Sequence, residues 1–412
     1  MPVVRGNRQH GTQHFAATSG LATLVLRRIV AGMPPTPFRI DVPQSVLDDL
    51  KERLGRTRWA EPIPGVGWDY GADAAYIKEL CEYWRDGYDW RLHEGHLNRY
   101  PQFLSTVDGV DLHYWHIKGK GPNPFPLIMV HGWPGSIFEF YAMIGRLTDP
   151  AAHGGDAADA FDLVIPALPG YGFGGKPQER GWGPSRTAKA FDTLMVQELG
   201  YDRYGTQGGD WGGIITARMG LAHPEHIAGL HVNFVIAQPP QGKELTAEEQ
   251  EFVAALQKFQ ADETGYSLTH STKPMSLAIA QADSPAGIAA WIVEKFRTWS
   301  DCNGDVESVY SKDQLLTNIM FYWAPNSIGS AANMYYESRR DQGAFGAGRI
   351  EVPVGVASFP KEIYRPARAW AEARYNITRW TEFDKGGHFA ALERPKEMVD
   401  DIRAFFRTVR QG

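Results

Sequence analysis

Gly208-Gly209-Asp210-Trp211-Gly212-Gly213 decides the fold. The stretch has the form G-x-D-x-G. A short β-prone run, residues 202–207, leads into it, and a helix-like run, residues 214–222, leads out of it. A strand, a sharp glycine turn and then a helix make a nucleophile elbow. The glycines answer a steric need, because the turn is strained and neighbouring backbones must pass close by. The central residue is thereby pushed out at the carboxyl edge of a sheet. Here that residue is Asp210.

The choice of aspartate sets the chemistry. A serine at this position must lose a proton to a neighbouring base before it attacks. An aspartate is already ionised at neutral pH, with an ordinary pKa of about 3.9. It can attack an sp3 carbon directly and form an alkyl ester. A base is then needed only to activate the water that hydrolyses the ester. This favours epoxides or alkyl halides over esters and amides. A lone G-x-D-x-G also fits a plain glycine turn with a solvated Asp, so the rest of the chain has to decide.

The chain has 412 residues, enough for a large core or for two domains. Its formal net charge of −6 gives no reason to expect a nucleic-acid partner. The two cysteines, Cys81 and Cys302, are too few for a disulfide framework and suit a reducing, cytoplasmic compartment. Neither sits in a metal-ligand spacing, and no zinc-protease, P-loop or dinucleotide motif occurs, so neither cofactor nor metal is expected. No run approaches the 18 or so apolar residues of a membrane helix. Residues 1–33 carry Arg5, Arg8, Arg27 and Arg28 and no acid. They read as a disordered leader, with Met33 a candidate start; a weak surface-binding helix is the other reading.

Outward from the elbow, the chain divides into five stretches. After the leader, residues 34–100 read as a helical and wrapping N-terminal region, with amphipathic patterns at 46–54 and 75–83. Residues 101–235 read as the first part of an α/β core. They hold a hairpin over 103–117 turning at Asp108-Gly109, strands at 126–130, 161–165 and 227–234, and a helix at 186–199. Such alternation predicts a mostly parallel, doubly wound sheet. Residues 236–345 are helical and aromatic, with helices expected at 252–259, 288–299, 315–323 and 331–336. A helical insertion of this kind predicts a cap over the carboxyl edge of the strands, where open α/β sheets bind ligands. Residues 346–412 complete the core with strands at 351–357 and 377–383.

The fold orders its catalytic groups as nucleophile, acid and histidine. His388, in Lys385-Gly386-Gly387-His388-Phe389, follows the last strand and is the candidate base. Glu362, in the loop after the strand at 351–357, is the expected orienting acid, and Asp384 competes with it. His131-Gly132-Trp133-Pro134 lies where the fold supplies one backbone oxyanion-hole donor, assigned to Trp133; the amide of Trp211 supplies the other. His131 itself reads as structural.

Together these features resemble the microsomal-type epoxide hydrolases, the branch that also contains insect juvenile-hormone epoxide hydrolases. The carriers are Trp68-Asp69-Tyr70-Gly71, Tyr83-Trp84-Arg85, His131-Gly132-Trp133-Pro134-Gly135-Ser136, the elbow, Ser271-Thr272-Lys273-Pro274, Asp283-Ser284-Pro285-Ala286-Gly287 and Gly386-Gly387-His388-Phe389. The resemblance runs from about residue 37 to 406. It implies an α/β-hydrolase fold, with Asp210 as nucleophile, Glu362 as acid and His388 as base. It also implies two cap tyrosines on the epoxide oxygen, Tyr266 and Tyr335, with Tyr336 the alternative one residue away. A phenol of pKa about 10 can donate to the alkoxide left by ring opening. The implied partner is a small apolar epoxide. No membrane anchor is expected, unlike in mammalian relatives, and a homodimer is left open. A haloalkane dehalogenase shares the Asp and the following Trp, but the cap tyrosines and the long N-terminal region speak against it. A silent fold that binds a small apolar ligand would have no need of Asp210, Glu362 and His388 together.

Overall fold

The computed structural model describes residues 34–239, 242, 244–346 and 348–410. The expected leader, residues 1–33, lies outside them. Nine strands form one sheet: β1 (Thr36–Phe38), β2 (Gln102–Val107), β3 (Val110–Ile117), β4 (Phe125–Val130), β5 (Phe161–Pro166), β6 (Tyr204–Gly208), β7 (Ile227–Val232), β8 (Ile350–Ser358) and β9 (Tyr375–Glu382). Their order is β1-β2-β3-β5-β4-β6-β7-β8-β9. β1, β2 and β3 join antiparallel, and every pairing from β5 to β9 is parallel. This is the mostly parallel sheet of the α/β-hydrolase fold.

The parallel centre follows from the sequence. Every residue of β5, β6 and β7 is buried. Strands covered on both faces need apolar runs rather than alternation, and Phe161-Asp162-Leu163-Val164-Ile165 reads that way. Val107 pairs with Val110 across the two-residue Asp108-Gly109 turn, so the hairpin falls where expected. The proline-rich stretch Pro34-Pro35-Thr36-Pro37 leads into an edge strand: Thr36-Pro37-Phe38 pairs with β2, a position that tolerates proline.

Three N-terminal helices, Gln44–Gly55, Ala74–Asp86 and Trp90–Leu97, lead from β1 to β2. The third was not legible, because Trp90-Arg91-Leu92-His93-Glu94-Gly95-His96-Leu97 is polar and short. It is fixed by tertiary contacts. Asp89 caps it, and buried Glu94 accepts hydrogen bonds from Val42 N–H at 2.7 Å and the Trp90 indole at 3.0 Å. Between β7 and β8 the chain is helical: Ala247–Asp262, Gly265–Thr272, Pro274–Asp283, Pro285–Trp299, Lys312–Trp323 and Ile328–Ser338. No helix among the described residues is long and apolar enough to cross a membrane. Cys81 and Cys302 are free and buried.

Candidate active site

β6 ends at Gly208, and the helix begins at Asp210 itself, four residues earlier than the periodicity suggested. Asp210 has φ of +48°, in the left-handed region that L-residues seldom adopt and that Asp tolerates better than most. Gly212 makes the turn possible. A Cβ there would stand 1.8 Å from the Val130 carbonyl oxygen, so no other residue fits between the new helix and the end of β4.

The elbow carboxylate meets two groups, and a third stands behind one of them. Its Oδ1 accepts a hydrogen bond from the Trp133 backbone N–H at 2.8 Å. Its Oδ2 lies 3.4 Å from His388 Nε2. On the far side of the ring, His388 Nδ1 lies 2.5 Å from Glu362 Oε1. His388 and Glu362 are almost wholly enclosed, and the Trp299 carbonyl accepts from the His388 backbone N–H at 2.9 Å. Burial alone would lower the His388 pKa, but the carboxylates of Glu362 and Asp210 outweigh it and hold the pKa well above the ordinary value. Asp384, the competing acid, is exposed. The Trp211 amide lies in the first turn of the helix, where no intrahelical carbonyl can accept from it.

Tyr266 and Tyr335 come from two different helices between β7 and β8 and meet above Asp210. Their ring centroids are 5.7 Å apart, both rings are buried, and Trp133 stacks on Tyr266 at 4.8 Å. Tyr335 also packs edge-on to Trp211 at 4.8 Å. Burial first, with Asp210 adding for both, keeps each phenol protonated well past its ordinary range. Tyr336 turns away: the Arg340 guanidinium lies 3.5 Å over its ring, and it borders a surface cleft with Lys273 and Met275.

The loop carrying Trp133 is tied to the helix Lys312–Trp323. Asn318 donates to the Pro134 carbonyl at 2.8 Å and accepts from the Ser136 hydroxyl at 2.8 Å. Tyr322 donates to the Gly135 carbonyl at 2.5 Å. His131 serves the same loop. Its Nε2 accepts from Leu168 N–H at 3.1 Å while Nδ1 faces the Gly132 carbonyl, and burial drops its pKa to about 4, so it is neutral.

Known proteins match this chain along most of its length. The family model Epoxide hydrolase N terminus matches residues 35–140, and that of the alpha/beta hydrolase fold matches residues 126–303. Epoxide hydrolase 1 of Oryctolagus cuniculus is 35% identical over 406 residues, covering 90% of this chain and 88% of its own. The chain belongs to the epoxide hydrolase family. It is a hydrolase of that family. The structure of juvenile hormone epoxide hydrolase from Bombyx mori matches with a TM-score of 0.85 at 29% identity, covering 94% of this chain and 97% of that one. Aspergillus niger epoxide hydrolase matches with a TM-score of 0.82 at 31% identity, covering 92% and 97%.

Two side chains of the candidate site are not singled out by the sequence motifs. Glu139 lines the small cavity beside Asp210 and His388. Its signal was present: one acid inside the apolar run Ile137-Phe138-Glu139-Phe140-Tyr141, just after the Trp133 loop. His270 packs 5.1 Å from Tyr335, and its Nε2 accepts from the Trp291 indole at 3.2 Å. Elsewhere, Asp192, His223 and His226 gather at the other end of the elbow helix, close enough to share a metal ion. Hydrogen bonds account for the cluster: Asp192 Oδ1 lies 2.8 Å from His226 Nδ1 and accepts from the Tyr204 hydroxyl at 2.7 Å.

Proposed function

We propose that the protein converts a small apolar epoxide to a vicinal diol through an ester on Asp210. The observation that carries this reading is a carboxylate at the elbow with one oxygen held by a backbone amide, the other facing His388, and two phenols above it. In the first step Asp210 Oδ2 attacks an epoxide carbon. The ring C–O bond breaks, and its electron pair goes to the oxygen. Tyr335 and Tyr266 hydrogen-bond that oxygen, and one of them supplies a proton. Two phenols suit an oxyanion that stays in the site; a halide leaving group would need no proton.

His388 links this step to the next. In the resting site its charge is supported by two carboxylates. Esterification removes the charge of Asp210, so His388 loses one of its two supports and its pKa falls. It can then return its proton to the tyrosinate and become the neutral base that the second step requires. Water gives a proton to His388 Nε2 and attacks Cγ, while the Trp133 and Trp211 amides receive the oxyanion. Collapse breaks the bond from Cγ to Oδ2, and the departing diol oxygen takes the proton of the new carboxylic acid. The site ends as it began, with His388 charged and Asp210 ionised.

Two variants test this reading. His388→Gln lacks the base for the second step only, so mixing it with excess styrene oxide is expected to add the mass of one substrate. Asp210→Asn, alone or combined with His388→Gln, is expected to add none. Intact-protein mass spectrometry reads both. An unmodified but folded, substrate-binding His388→Gln would mean that His388 acts before the ester forms.

A further inference from the structure

Glu139 sits in the short turn Ile137–Phe140, which Ser136 caps through Phe138 N–H. Its carboxyl folds back over Gly135, where a Cβ would stand 1.5 Å from Oε1, so only glycine at 135 leaves this path open. The amides of Gly132 and Ser136 hydrogen-bond the carboxyl, and His388 and Asp210 are the charges that act on it. Its pKa stands at about 8: burial raises it most and Asp210 adds to that, against His388 and the two amides, which lower it.

The carboxyl faces a small cavity lined also by Gly132, Asp210, Asn233 and His388. The space open to the centre of a water-sized sphere is about 10 Å³, room for one water. Neither Tyr266 nor Tyr335 borders this cavity. Asp210 therefore has two sides: one under the phenols, where an epoxide oxygen is received, and one toward Glu139, where a single water fits next to His388.

We propose that Glu139 positions the water that hydrolyses the Asp210 ester, an inference that rests on the ester mechanism above. One O–H of the water points at His388 Nε2 and the other at a Glu139 carboxyl oxygen, which aims its lone pair at Cγ. His388 takes the first proton as the water oxygen bonds to Cγ. The bond from Cγ to Oδ2 then breaks, and the diol oxygen takes the remaining acid proton. Glu139 gains and loses none.

Rapid mixing of Glu139→Leu and Glu139→Gln with styrene oxide separates the two steps. In Glu139→Leu, ester formation is expected to stay near the wild-type rate while ester hydrolysis slows on the order of tenfold or more. The ester then accumulates, and kcat and KM fall together with kcat/KM kept. Glu139→Gln, which keeps an acceptor oxygen and nearly the same shape, should recover part of the hydrolysis rate and carries the test should the Leu variant not fold. Wild-type hydrolysis in both variants overturns the proposal, and so does equal slowing of both steps, which marks a packing role. If neither the wild type nor His388→Gln forms an ester, the covalent reading itself fails. An ester that forms and turns over normally in both Glu139 variants removes only the role of Glu139.

Discussion

Asp210 and its neighbours make a site of few atoms. Three hydrogen-bond-scale distances, 2.8, 3.4 and 2.5 Å, link the Trp133 amide, Asp210, His388 and Glu362. The two tyrosine candidates, adjacent in sequence, part at this scale. Tyr335→Phe is expected to cut the ring-opening rate, by analogy with loss of an oxyanion-hole donor, on the order of 10²-fold. Tyr336→Phe should change little, because its ring lies under Arg340. Single-turnover rates on one epoxide measure both, and equal effects would contradict the assignment of Tyr335. Asp210 and His388 were readable because glycine turns fix their context in the chain. The choice between Tyr335 and Tyr336 was not, since one helical step decides which side chain faces the sheet and both are aromatic. Glu139 stands out only as a single acid in an apolar run, and the run alone does not tell a solvated acid from one folded back over the site until the fold shows what covers it.

The element that holds the site together is the helix Lys312–Trp323, whose Asn318 spans the Trp133 loop from Pro134 to Ser136. Asn318→Leu removes both buried bonds, leaving the Pro134 carbonyl without its donor and the Ser136 O–H without its acceptor. A loss of about 1–3 kcal/mol is expected. Denaturant melts measure it, and kcat/KM should drop because the Trp133 amide loses its tether. Unchanged stability and activity would mean that the loop holds itself. Elements with a strong apolar period, such as Pro285–Trp299, lie close to where periodicity places them. Gly265–Thr272 and Pro274–Asp283 were not anticipated. The first is short and rich in Gly, Ser and Thr, and the second presents Met275 and Ile279 to solvent, so neither shows a one-sided apolar stripe. Packing selects them, not propensity.

At the scale of the whole molecule, Asp401 ties the C-terminal helix Pro395–Val409 to the sheet. It meets His231 on β7 at 3.0 Å and Arg379 and Thr381 on β9 at 2.7 Å each. Burial alone would raise its pKa, but these donors outweigh it and hold the group at about 2. The sign follows from the depressed value. The ionised form stabilises the fold fully above the unfolded pKa near 3.9, and that gain disappears as pH falls toward 2. The difference corresponds to roughly 2–3 kcal/mol. Asp401→Asn is therefore expected to lower stability at pH 7 by that order and to flatten its acid dependence below pH 4, as read by urea melts across pH. A wild-type acid profile in the variant would contradict this. The sheet was legible from the alternation of buried runs and turns, whereas the Asp401 bridge joins β7, β9 and the last helix, which no local pattern connects.

The central claim is that the new oxygen of the diol comes first from Asp210. A single turnover in 18O-water, with enzyme in excess over epoxide, tests it most directly. The expected diol is unlabelled, with one 18O recovered in the peptide that contains Asp210. Fully labelled diol from the first turnover, with an unlabelled peptide, would mean that water opens the ring itself and that Asp210 forms no ester.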